Sequence, residues 1–222
     1  FFYIMELFFL GGTYMSELLE NLQSFREETS KSDNTRYYSW IDCNLVFRQK
    51  KTADDVLAKE LFMFLASWGM LRNSFLLNHN WRILLPVINL LKDPRFKILQ
   101  NASIDTVEAN ASLIITLKNE LFSCLDSLKN KDDKNITVTL ISKIITGAFA
   151  CSVAYDKNVC SALHAIHLCQ TFNKKSILEL CTFYKEHPEL EKMRLKIQNE
   201  DGIDYPPMKI LDMAFWKSGE KK

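Results

Sequence analysis

The stretch DTVEANASLIITLKNELFSCLDSL, residues 105–128, decides the fold class. Val107, Ala111, Ile114, Leu117, Leu121, Cys124, Leu125 and Leu128 recur at steps of three and four, which gathers apolar side chains on one side of an α-helix. The same spacing extends outward in both directions. Upstream, residues 81–91 read as an apolar helix with Pro86 in its first turn, closed by Asp93-Pro94. Before it, ADDVLAKELFMFLASWGMLRNSFLL (residues 53–77) reads as one long helix, with Thr52 as N-cap and Asp55 in the capping-box position. Apolar residues occupy nearly every face between Leu61 and Met70, so this helix is expected to be central and surrounded, with Gly69 admitting a neighbouring backbone. Residues 14–28 carry Leu18, Leu19, Leu22 and Phe25 on one side, and a polar loop separates them from a further helix over 37–50.

Downstream, NKDDKN (residues 130–135) is a charged loop and the candidate boundary between two lobes. The segment TVTLISKIITGAFA (137–150) is β-branched enough to suit a strand, but its helical neighbours favour helix. Residues 156–169, 176–186 and 189–198 continue the helical pattern. A turn surrounds Gly202, and Pro206-Pro207 start a last helix over 208–217. The expectation is an all-α, compact multi-helix globular bundle of eight to ten helices, in one domain with a lobe boundary near 130–135.

Composition agrees. Gly 6 and Pro 5 leave few turn residues, as long helices with short connections require. Lys plus Arg is 28 against 27 Asp plus Glu, so no global field draws in a charged partner. A nucleic-acid binder of this composition must collect its basic residues on one face. Six cysteines, none in a CxxC pair, sit in apolar helical patterns and read as reduced thiols of a cytoplasmic protein. Residues 1–10, FFYIMELFFL, are strongly apolar. A bilayer span takes about 20 residues, so no membrane association is expected. They read as a short helix or strand on the core, or as the patch of a homo-oligomer.

Three groups of residues are candidates for chemistry. Cys160, His164, His167 and Cys169 include metal-ligand types, but their spacing matches no closed zinc pattern, so no metal is expected and no cofactor is implied. The adjacent carboxylates Asp54-Asp55, Glu27-Glu28 and Asp132-Asp133 do not share a helix face and make no acid–base pair. Trp68 and Arg72, beside the aromatic-rich helix, suit an anionic ligand or phosphate. Lys217, Lys221 and Lys222 read as a basic, solubilising tail.

The run Leu140-Ile141-Ser142-Lys143-Ile144 through Val153-Ala154-Tyr155-Asp156-Lys157-Asn158-Val159 resembles a segment of the helix-hairpin-helix DNA glycosylases, in which a lysine-bearing hairpin leads to a loop ending in Asp-x-x-Val. The closing residues 206–216 (PPMKILDMAFW) are similar to C-terminal helices in uncharacterised bacterial relatives of that fold. The resemblance implies that Asp156 opens a helix and assists cleavage of a glycosidic bond, that Lys143 is the nucleophile, and that DNA is the partner. Tyr155, next to Asp156, joins Trp68 and Arg72 as a ligand-binding candidate. The family's Gly-x-Gly hairpin is absent, and Lys143 stands closer to Asp156 in sequence than in the lysine-bearing members. Two other readings stand beside this one. One is a non-enzymatic helical interaction module using residues 1–10. The other is a small-molecule-binding protein with a pocket around Trp68 and Arg72.

Overall fold

Helix α7 (Val138–Ala148) lies in the middle of the molecule, with every residue from Leu140 to Ala148 buried. Thr137 caps it by accepting the Leu140 N–H on its hydroxyl. The computed structural model describes residues 2–32, 34–72 and 74–220, with side chains from Tyr14 onward. The described chain is all-helical, with no β-strand. Before α7 come α1 (Phe2–Ser30), α2 (Ser39–Arg48), α3 (Asp54–Ser67), α4 (Leu85–Leu91), α5 (Ile104–Ala109) and α6 (Ala111–Ser127). After it come α8 (Lys157–Ala165), α9 (Lys174–Glu186), α10 (Pro188–Asp201) and α11 (Pro207–Glu220). Short 3-10 turns join several of these.

The second central element is α11, buried from Pro207 through Lys217. It packs chiefly on α8 and α1. On α1, Leu18, Leu22 and Phe25 face inward, as their spacing predicts. Residues 2–10 of the apolar stretch belong to the start of α1, but the side chains of residues 1–10, and the oligomer contact expected of them, lie outside the described residues. Buried residues on both sides of 130–135 join one continuous core. Among the described residues, no helix is long and apolar enough to cross a membrane.

Several expectations are corrected. The helix over 53–77 stops at Ser67. Gly69, at φ +74°, turns the chain, and Gly69 and Met70 donate their N–H groups to the carbonyls of Ala66 and Leu65 in a Schellman closure. Gly69 is therefore a helix terminator rather than a point of close helix contact. The Thr52–Asp55 capping box does not form, because the Thr52 hydroxyl donates to the Val46 carbonyl and Asp55 pairs with Lys59. Nor is α3 surrounded, since Met63 on its outer side is 60 % exposed. The stretch 105–128 breaks at Asn110, whose side-chain amide donates to the Thr106 carbonyl where α5 ends. Lys217 is not part of a solvated tail. It is buried and meets Glu28 and Glu220, each at 2.6 Å.

The α8–α11 contact is close enough to require glycine. A Cβ on Gly219 would fall 1.9 Å from the Asn158 carbonyl oxygen. Helix propensity alone makes Gly219→Ala stabilising by about 1 kcal/mol. Backbone overlap reverses the sign, so a net loss of about 2 kcal/mol is expected in urea unfolding. An unchanged or raised midpoint would show that the helices do not meet this closely.

All six cysteines are free thiols, and Cys43, Cys151 and Cys181 are buried. Burial pushes the Cys151 thiol from 9.0 up to about 12. The unfolded thiol ionises near 9 while the folded one stays protonated, so its stabilising contribution is complete below pH 9 and is lost between pH 9 and 12. Between pH 7 and pH 10 the wild type should lose about 1.4 kcal/mol relative to Cys151→Ala. Equal pH dependence in urea titrations would contradict this.

Candidate functional site

The chain leaves α7 through a non-helical segment, residues 151–155, that bends at 151–152 and is pinned on both sides. The Thr146 hydroxyl donates to the Ser152 carbonyl, and the Ser142 hydroxyl accepts the Tyr155 N–H. From α11, Asp212 accepts the Ala154 N–H at 2.8 Å. This holds Asp156 at the head of α8. One carboxylate oxygen caps the helix by accepting the Val159 N–H at 3.1 Å, and the other accepts from Lys143 Nζ at 3.0 Å. The Lys143 side chain is only 5 % exposed and that of Asp156 14 %. Breaking a pair so sheltered leaves an uncompensated charge, so the two residues are coupled energetically as well as in space.

The pair sits against aromatic rings. Lys143 Nζ lies 4.9 Å from the centre of the Trp68 ring. Trp68 meets Trp216 edge-on at 5.2 Å and stacks on Phe25 at 6.4 Å, and Tyr37 closes the group. Arg36 lies over Tyr37, Trp68 and Trp216 at 5.2–5.4 Å. Outside the pair opens a hollow of about 360 Å³, lined by Arg36, Trp68, Met70, Arg72, Lys143, Asp156, Lys157, Asn158 and Trp216. Behind the pair is a nearly closed space of about 10 Å³, room for no more than a single water. A second ion pair lines that inner space, Lys209 with Asp212 at 2.7 Å.

No protein-family model, curated protein or solved structure matches the chain. The site's own residues therefore carry the functional reading.

Four of the five residues singled out from sequence, Lys143, Asp156, Trp68 and Arg72, line the one hollow. Tyr155 does not. Tyr155 turns toward α9, where its ring stacks on Phe172 at 4.7 Å and its hydroxyl meets that of Ser176 at 2.7 Å. Burial raises its phenol above the ordinary value. Tyr155 is a core residue rather than a ligand-binding one: it is buried and lines no part of the hollow.

Cys160, His164, His167 and Cys169 do not converge. Cys160 approaches the Gln170 carbonyl, His164 pairs with the Gln170 side chain, and His167 lies past the end of α8 at φ +59°. The thiols of Cys160 and Cys169 are half-buried rather than buried. A larger hollow of about 550 Å³ runs along α9, but its charges, Lys174, Lys175, Glu179 and Glu186, include no buried pair.

Trp216, Arg36, Lys157 and the pair Lys209–Asp212 were not among the residues expected from sequence. For Lys209 and Asp212 a signal exists. Met208, Ile210, Leu211, Met213, Ala214, Phe215 and Trp216 surround them, so the helix has no polar face where charged residues at a spacing of three can meet water.

Proposed function

We propose that the chain acts on DNA as an N-glycosylase of the helix-hairpin-helix type, with Lys143 and Asp156 as the reacting pair. The observation that carries this is the 3.0 Å contact between an ammonium and a carboxylate, both sheltered, in the wall of a hollow lined by two indoles and further cations. An extruded base stacks against Trp68 and Trp216. Lys143 passes a proton to Asp156 and, as a neutral amine, attacks C1′ of the sugar. The nitrogen–C1′ bond forms as the bond from C1′ to the base breaks, and the base leaves with the proton that Asp156 carried. A proton then passes from the sugar-bound nitrogen to O4′ as the C1′–O4′ bond breaks, which leaves a protonated imine whose charge faces the returned carboxylate.

The test is release of free base from oligonucleotides that each carry one modified base. Release by the wild type and its loss in Asp156→Asn is the expected result. No release from any of them, together with salt-dependent DNA binding identical in wild type and Lys143→Ala, would overturn the proposal.

A second reading gives the same hollow to a small ligand. It is favoured by the chain's net charge of +1, which supplies no long-range pull on a polyanion. A rise in melting temperature with a small metabolite, without DNA binding, would select it.

A further inference from the structure

Hydrogen-bond donors outnumber acceptors at the mouth of the hollow. Asp156 is the carboxylate in its lining, and both its oxygens are taken by Val159 N–H and Lys143. Arg72 stands out from the other described arginines. Arg26, Arg36, Arg48, Arg95 and Arg194 each meet a carboxylate, and Arg82 lies over Trp81. Arg72 has neither kind of partner among the described residues, and Lys157 across the hollow also has no carboxylate. The Trp68 ring is in the same lining, while its Nε1–H is buried out of reach of solvent, with no acceptor among the described residues.

The backbone accommodates this guanidinium. A Cβ at Gly69 would come within 3.3 Å of Arg72 Nη2, so the glycine that ends α3 also lets Arg72 fold back toward the hollow. A planar fork of donors and an ammonium, both without counter-charges among the described residues, fit a tetrahedral oxyanion.

We infer that Arg72 and Lys157 form a phosphate subsite at the mouth of the hollow. The subsite receives the phosphate attached to the reacting sugar while Lys143 and Asp156 face C1′. This rests on the reading of the hollow as a nucleotide-unit site, and it adds residues and a ligand group that the glycosidic chemistry alone does not require. The phosphate can be a diester within a strand or a monoester at a terminus.

The test is titration of the full chain with inorganic phosphate, followed by the fluorescence of the tryptophans at the hollow. Saturable binding is expected, about tenfold weaker in the Arg72→Ala/Lys157→Ala double variant and unchanged in Lys97→Ala. Single-stranded oligonucleotide binding should show a salt slope smaller by about 0.7 for each cation removed. Displacement of phosphate by an oligonucleotide without terminal phosphates assigns a diester; displacement only by a nucleoside monophosphate assigns a monoester. No phosphate binding, or equal affinity in wild type and the double variant, overturns the subsite. Binding is read without turnover, so phosphate binding with no base release would sink the glycosidic chemistry and leave the subsite standing.

Discussion

Lys143→Ala is expected to abolish base release and to lower stability by about 3 kcal/mol. The two effects have one cause. Lys143 and Asp156 meet at 3.0 Å with little exposure, so removing the ammonium leaves the carboxylate without its counter-charge and the Trp68 ring without the cation beside it. Asp156 keeps its cap bond to Val159, which places the cost toward the lower end for a broken buried pair. Stability and function separate in the double variant Lys143→Met/Asp156→Leu. Buried ion pairs replaced by apolar groups of similar size often lose nothing in stability. The double variant should therefore unfold much closer to wild type than Lys143→Ala does, minus about 1 kcal/mol for the lost cap, while remaining without base release. Urea unfolding and the release assay together check this. A Lys143→Ala protein as stable as wild type would mean the pair is solvated and uncoupled.

Asp212→Ala should cost about 4 kcal/mol, because two buried groups lose their partner at once. Lys209, 3 % exposed, loses its counter-charge, and the Ala154 N–H loses its acceptor. The rings of Trp40 and Phe25 near Lys209 Nζ, at 4.9 and 5.7 Å, cannot replace a carboxylate. Lys209→Met/Asp212→Asn offers a contrast, since Asn keeps an acceptor for Ala154 and Met removes the stranded charge. Its stability should recover most of the loss. If it unfolds as early as Asp212→Ala, the cost lies in packing rather than in the charge and the backbone contact.

How much of this was legible in sequence follows from which forces are local. Apolar spacing reads out burial along a helix, and it found the buried side of α6 and the inward side of α1, although it ran α5 and α6 together across Asn110. It does not see where a backbone turns. A glycine inside an apolar run is compatible with a continuing helix, and only the positive φ at Gly69 shows that α3 has ended. The burial of α7 was harder to foresee, because a buried helix is apolar on all sides and its pattern resembles a buried strand. Within the site, Lys143 and Asp156 were singled out only through the resemblance to the helix-hairpin-helix segment. Trp216 was not, since its contact with Trp68 depends on α11 returning across α1, a long-range arrangement with no short sequence signature. Tyr155 was not legible either, because the side on which its ring packs is set by the distant contacts with Phe172 and Ser176.

The central claim is that the Lys143 amine reaches the sugar carbon under the control of Asp156. Borohydride reduction during incubation with a modified-base oligonucleotide, followed by peptide mapping by mass spectrometry, tests it most directly. The account predicts a covalent sugar adduct on Lys143, absent in Asp156→Asn. An adduct on another residue, or base release with no adduct on Lys143, would contradict it.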